Sequence, residues 1–260
     1  MKCKICNNTA DLFGEAKILC KYHASFYRCS QCGFMQTETP YWLDDAYSNI
    51  MTKSDIGLIG RNLEMANVAK TFILTCLNPR ERFIDYGGGY GMFVRLMRDA
   101  GFDFYRYDPL CENLFSESFD AQSGLQYSLL TAWEVFEHFT DPLVEIEKML
   151  SFSKTIFFST LLLPLPPKSL NNWWYYGLEH GQHVAFYSTE TLQAISKKFN
   201  LKLYYSNGVF HLLSREKINP LLVQIAFNPS YRLLRRSFAK QQPASLLEQD
   251  YQKITGKKLQ

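Results

Sequence analysis

The 260-residue chain has no run of about 18 uninterrupted apolar residues, which excludes a helical membrane span. Its first residues, MKCKICNN, lack the apolar stretch of a secretory signal. It also lacks a strong charge of either sign. The net charge of +3 argues against a dedicated nucleic-acid binder. Internal repeats and low-complexity tracts are missing as well. These absences leave a cytoplasmic, globular chain, and an apolar content of 47% is enough for a sizeable core. Thiols in such a compartment stay reduced, so clustered cysteines read as metal ligands before disulfides.

Five of the seven cysteines fall within the first 32 residues. Cys3-x2-Cys6 and Cys29-x2-Cys32 form two pairs separated by 22 residues. Each pair turns two thiolates onto one ion, and two pairs complete a closed, tetrahedral, structural zinc site. Cys20-x2-His23 is a competing half-site. The four-cysteine set is preferred because Cys32-Gly33, closing the aromatic run SFYRCSQCGF, looks like a zinc-ribbon knuckle. Lys2, Lys4, Lys17, Lys21 and Arg28 add modest positive charge. Phe26 and Tyr27 either stack on bases or cover the metal core, and the core role is favoured.

After a polar, aromatic connector, TETPYWLDDAYSN, the pattern becomes helix–strand alternation. RNLEMANVAKTFILTCL has helical spacing with Met65, Val68, Ala69, Phe72 and Cys76 on one face, ended by Asn78-Pro79. RFIDYG and FDFYRYD are strands flanking the helix GMFVRLMRDAG, whose apolar face is Phe93, Leu96, Met97 and Ala100. YSLLTAWEVF and KTIFFSTLLL contain buried strands, with a helix starting at Asp141-Pro142 between them. STETLQAISKKF is a helix capped by Ser188 or Thr189, and LKLYYSNGVFHLLS is a hairpin around Asn207-Gly208. Strands separated by helices imply a parallel sheet covered on both faces.

The segment FIDYGGGYGMF poses the functional question: four glycines in five residues follow a buried strand, as if a ligand must approach the bare main chain. A phosphate-binding loop would end in Gly-Lys-Ser/Thr, and this one ends in Gly-Met-Phe. No register fits the G-x-G-x-x-G dinucleotide pattern. What is present is Asp85-x-Gly87-x-Gly89-x-Gly91. About 20 residues past the first glycine, Asp108 ends the next strand, where a carboxylate can take a ribose. This spacing resembles motif I of the class I S-adenosylmethionine-dependent methyltransferases. The resemblance implies a Rossmann-like α/β fold: a doubly wound, mostly parallel seven-stranded sheet with a C-terminal antiparallel hairpin. It implies S-adenosylmethionine as cofactor, with Asp85, Gly87, Gly89 and Gly91 around its methionine end and Asp108 at the ribose. Asp120, in SFDAQ, is the one candidate for an adenine-contacting acid.

TAWEVFEHFTDP resembles the segment after strand four in small-molecule methyltransferases, where Glu134 or His138 would line the site. The stretch PLPPKSLNNWWYYGLEHGQHVAFYS holds aromatic and histidine side chains suited to a flat or sugar-like acceptor, or to a lid packed on the core. A cysteine ribbon joined to this core is similar to the family containing nucleotide-sugar C-methyltransferases. That likeness implies a proton-accepting His183, with Gln182 standing where the family has Glu. His138 is the alternative base, and Tyr176 and Tyr187 are orienting groups. The expected layout is a zinc-ribbon module over 1–45, a methyltransferase domain over 46–215 and a helical extension over 216–260. In the extension, NPLLVQIAFNPSYRLLRRSFAK reads as one or two short amphipathic helices carrying Arg232, Arg235, Arg236 and Lys240. Its face would pack on the core, with a membrane surface or a homodimer contact as other uses. The last residues read as partly frayed. The expected function is methyl transfer to a small molecule, most specifically a sugar or nucleotide sugar, with no nucleic-acid partner. The rivals are an RNA methyltransferase gripping its substrate with the ribbon and basic tail, and a non-catalytic binding module on the same scaffold.

Overall fold

The computed structural model describes residues 1–48, 56–122, 124–236 and 243–258, with side chains of 234–236 left aside. Lys240 lies outside the described residues, as do the side chains of Arg235 and Arg236. The chain begins with three antiparallel strands, β1 (Ala10–Ile18), β2 (Tyr22–Cys29) and β3 (Met35–Thr37), and a short turn of helix α1 (Leu43–Ala46). It continues through α2 (Leu58–Cys76), β4 (Arg82–Tyr86), α3 (Met92–Asp99), β5 (Asp103–Tyr107), β6 (Leu129–Ala132), α4 (Pro142–Phe152) and β7 (Thr155–Ser159). Then come β8 (Ala185–Phe186), α5 (Thr189–Lys198), β9 (Lys202–Ser206), β10 (Phe210–Ser214), α6 (Pro220–Phe227), α7 (Pro229–Arg236) and α8 (Leu247–Thr255).

Six strands form one sheet in the order β5-β4-β6-β7-β10-β9. β4 pairs in parallel with β5 on one side and β6 on the other, so the strand order reverses at β4. Open α/β sheets bind ligands at such a reversal, beyond the carboxyl ends of the strands. β9 and β10 form the expected antiparallel hairpin. The sequence reading expected seven strands, whereas the described residues build six. Outside β5 the seventh is reduced to one parallel bridge, Arg106 to Asp120, with amide bonds Arg106 N to Phe119 O (2.8 Å) and Ala121 N to Arg106 O (2.6 Å). The stretch between β5 and β6 is too short and turn-rich to pair further.

The chain divides into two compact units. One comprises Met1–Asp55, Glu134–Lys148 and Phe158–Arg215. In it the cysteine hairpin gains a fourth strand, β8, through Met35 opposite Phe186. Phe26, Trp42, Tyr175, Tyr176 and Phe186 form its aromatic core. The segment 173–176 therefore packs inward as the lid reading held, apart from Trp174, which is 75% exposed. Phe26 is wholly buried and offers no stacking face to a base. Ser188 caps α5, its hydroxyl accepting the amide of Thr191 (3.2 Å). Thr191 Oγ1 also donates to the carbonyl of Cys32 (2.8 Å), which fixes α5 on the second cysteine turn.

The other unit comprises Ile56–Trp133, Met149–Phe157 and Glu216–Gln260. On α2, Met65, Val68, Ala69 and Phe72 are inside as the spacing predicts, while Cys76 is half-buried. On α3 the inward positions are Phe93, Val94, Met97 and, unexpectedly, Arg98. Arg98 is buried because α8 brings it a partner: its Nε and Nη2 donate to the two oxygens of buried Asp250 at 2.8 and 2.7 Å. Its Nη1 donates to Asp103 (2.6 Å), and its guanidinium lies 3.7 Å from the Phe119 ring centre. The C-terminal residues read as frayed thus include an anchored helix. Arg232, on α7, pairs with Glu64 of α2 at 2.8 Å. No helix among the described residues is long and apolar enough to cross a membrane.

A buried guanidinium that loses its carboxylate keeps its charge and loses its compensation. Asp250→Ala should lower unfolding free energy by about 3–5 kcal/mol in urea titrations, and Asp250→Glu by much less.

Candidate functional site

β4 ends in the glycine turn. Gly87, Gly89 and Gly91 all adopt positive φ (68°, 51° and 86°), a region that a Cβ disfavours. The carbonyl of Tyr107 accepts the Gly87 amide at 2.7 Å. Asp108, just beyond β5, turns its carboxylate onto the loop: Oδ2 accepts the Gly89 amide at 2.9 Å, and Oδ1 accepts the amides of Leu110 and Cys111 (2.9 and 3.0 Å). The carboxylate predicted for a ribose therefore sits on the glycine cradle. The glycines differ in what they make room for. A Cβ on Gly89 would meet nothing within 4 Å. One on Gly91 would strike Ser116 Oγ, so that position serves a close approach of the chain itself.

Beneath the turn lies Arg106, a residue the sequence reading passed over. Its Nη1 donates to the carbonyls of Gly89 and Cys111, and its Nε donates to Asp120 Oδ1 at 2.8 Å. Asp120 also accepts from Asn113 (3.2 Å), so its carboxylate is engaged in holding the loop. No local signal marks Arg106, because its partners converge only when β4 and β5 pair. Asp85 is fully buried. Burial pushes its carboxyl up to about 8, opposed by the hydroxyl of Thr131, which donates to it at 2.6 Å; the charge of Asp108 adds to the rise.

The remaining predicted residues lie in the first unit. Glu134 has a positive φ of 53°, strained for a non-glycine. Its amide donates to Ser159 Oγ at 2.9 Å, and that hydroxyl donates to its carboxylate. A single 3-10 turn, Phe136–His138, follows. His138 and His183 come together edge to face, with ring centres 5.0 Å apart, and His180 stands 4.7 Å from His183. His138 Nδ1 is 2.8 Å from the Tyr47 hydroxyl, and His183 Nδ1 donates to the carbonyl of Tyr175 at 2.6 Å. Burial holds His138 well below the usual imidazole range, with the neighbouring imidazoles adding to it. Burial also takes His183 down to about 4 against the Tyr175 carbonyl. Burial thus disfavours the protonated form of both rings. Tyr176 and Tyr187 spend their hydroxyls on the carbonyls of Lys168 and Phe136 (both 2.9 Å). The tyrosines that meet the histidines are Tyr47, through its hydroxyl, and Tyr175, whose ring lies 4.7 Å from that of His183.

In the same unit, Cys3, Cys6, Cys29 and Cys32 bring their sulfurs within 4.8 Å of one another. Cys3–Cys32 and Cys6–Cys29 are 3.6 and 3.5 Å apart. Zinc–sulfur bonds of about 2.3 Å at tetrahedral angles require roughly 3.8 Å, so the set fits a zinc ion. Cys20 is exposed in the β1–β2 turn, and neither it nor His23 belongs to the cluster.

A parallel β5-β4-β6 core with a glycine turn after β4 defines an open α/β protein of the cofactor-binding kind. A methyltransferase-domain model matches residues 61–206, more than half of the chain, and the chain belongs to that family. No curated protein matches it. Among solved structures it is similar to OxaC in complex with SAH and oxaline (11% identity, 58% of this chain and 47% of that one, TM-score 0.40). It is also similar to the mitomycin 7-O-methyltransferase MmcR (12%, 67% and 60%, 0.43). A third is the magnesium protoporphyrin IX methyltransferase ChlM from Synechocystis PCC 6803 with bound SAH (12%, 67% and 94%, 0.40). The chain spans about half the length of OxaC. Likenesses this distant carry no weight for substrate.

A carboxyl whose folded value lies above its unfolded one stabilises at low pH and loses that contribution as pH rises through the folded value. Between about pH 4 and 8, wild type should therefore lose stability relative to Asp85→Asn, by up to about 1.4 kcal/mol per pH unit. Urea titrations of the two proteins across that window measure the difference.

Proposed function

We propose that the chain transfers a methyl group from S-adenosylmethionine to a small molecule. One observation carries this reading: the Asp108 carboxylate accepts the Gly89 amide at the rim of a turn whose central glycine faces open space. Bound there, the cofactor would supply an activated methyl carbon. Asp85, Gly87, Gly89 and Gly91 would shape the cradle for its methionine end, and Asp108 would hold the ribose hydroxyls. The engagement of Asp120 by Arg106 favours a supporting role over adenine contact. The chain's own work is alignment and removal of the acceptor's proton, which we assign to the His138–His183 cluster. Glu134 lines the same region, and Tyr176 and Tyr187 are retained as packing supports for it. The acceptor is a sugar or nucleotide sugar, a reading that rests on the resemblance of the His183 segment and on the aromatic residues before it. Residues 1–45 serve as a structural zinc module on Cys3, Cys6, Cys29 and Cys32, residues 46–215 as the transferase domain, and 216–260 as a helical extension.

Calorimetry with S-adenosylmethionine should give binding by wild type, lost in Gly89→Val and weakened at least ~10-fold in Asp108→Ala. Absence of binding by folded wild type would refute the cofactor assignment. Incubation with a panel of nucleotide sugars should add the mass of one CH2 to at least one of them. Failure across the panel, with cofactor binding intact, would remove the sugar and leave the transferase.

A further inference from the structure

The histidine cluster is more than a pair of imidazoles. One donor atom each of Glu137, His138 and His183 lies within 4.8 Å of the other two. All three residues belong to one compact unit, and Glu137 is wholly buried. The rings are held from behind. The Tyr175 carbonyl can only accept, so His183 carries its proton on Nδ1 and presents the lone pair of Nε2. His138 is held at Nδ1 by Tyr47, and the backbone of Gln182 also faces it. A metal-ligating imidazole usually donates its other ring N–H to a carbonyl or carboxylate, as His183 does to the Tyr175 carbonyl. Glu134, one turn earlier, is a second carboxylate whose charge, like that of Glu137, reaches Tyr175. Its strained backbone fixes where that carboxylate starts from.

We propose that Glu137, His138 and His183 bind a divalent transition-metal ion, distinct from the cysteine site, with Glu134 beside it and an open position for an acceptor hydroxyl. Two imidazoles and one carboxylate form a borderline donor set that suits zinc, manganese or cobalt. Bonds of about 2.0–2.1 Å place ligand atoms roughly 3.3 Å apart at tetrahedral angles, so the donors need to close by at most about 1.5 Å on loading. Positive charge there also favours a carboxylate taken wholly out of water.

The inference rests on the transfer reading for its chemistry and not for its metal. It names the acceptor atom as oxygen. A hydroxyl on a divalent ion ionises far more readily than a free one. Its O–H bond breaks and the proton leaves to water. Methyl transfer to that oxygen would form a C–O bond as the methyl–sulfur bond of the donor breaks, leaving a neutral thioether. The His138–His183 cluster then promotes loss of the acceptor's proton through the ion it holds, and not as a base in contact with that proton.

Protein stripped with chelator and titrated with Co2+ tests the site. Wild type should bind about two ions, one with an intense thiolate charge-transfer band and one with only weak visible bands. Glu137→Gln and His183→Ala should each lose the second ion and keep the thiolate band. Cys29→Ser should lose the thiolate band and keep the other. Thermal melts of the stripped proteins confirm that each variant is folded. If wild type binds no ion beyond the thiolate-bound one, or both Glu137→Gln and His183→Ala keep the second ion, the proposal is overturned. Cofactor calorimetry on wild type separates the two readings. A wild type that binds the cofactor but no second ion refutes the metal alone; a wild type that takes up the second ion but no cofactor refutes only the transfer.

Discussion

A single guanidinium organises the loop region. Arg106 rises from β5 beneath the glycine turn and hydrogen-bonds to Gly89, Cys111 and Asp120 at once. It is 5% exposed, and a buried guanidinium must direct its donors to acceptors or lose more than it contributes. By meeting that demand, Arg106 fixes the distance between the turn after β4 and the loop after β5. The Asp108 carboxylate then falls on the Gly89 amide. The same residue forms the one bridge that remains where a further strand would stand. Loop shape and sheet edge thus meet at one residue, the first through its side chain and the second through its main chain.

Much of the framework was legible in the residues because its causes are local. Apolar spacing is fixed by the period of the element that carries it, so α2, β4, α3, β5 and the β9–β10 hairpin fall where their patterns put them. The glycine turn and Asp108 were legible for a related reason: their offsets follow from the length of one strand–helix–strand unit. The four cysteines could be paired off because C-x-x-C fits one thiolate turn.

What escaped the reading was set by distant partners. Arg98 occupies an inward position of α3 only because Asp250, 152 residues away, meets it, and nothing near either residue announces the pair. The missing strand was lost for want of chain between β5 and β6, a matter of length and not of pattern. The histidines gave only half their meaning. His138 and His183 were each visible in a motif, but the cluster with Glu137 exists only because a 3-10 turn and the entry to β8 lie side by side. Tyr176 and Tyr187 misled because a hydroxyl near a motif looks available until its carbonyl partner is known.

The clasp between the second cysteine turn and α5 reaches beyond the ribbon. Cys32 holds the first turn of α5 through Thr191, and β3 is hydrogen-bonded to β8, two residues past His183. The sulfurs stand 3.5 and 3.6 Å apart, and a disulfide requires about 2.05 Å. Oxidising the thiols in air would pull the knuckles inward, and the displacement would run through β3 to β8 and the His183 that precedes it. Reductant during handling would therefore guard the geometry of a place that contains no sulfur.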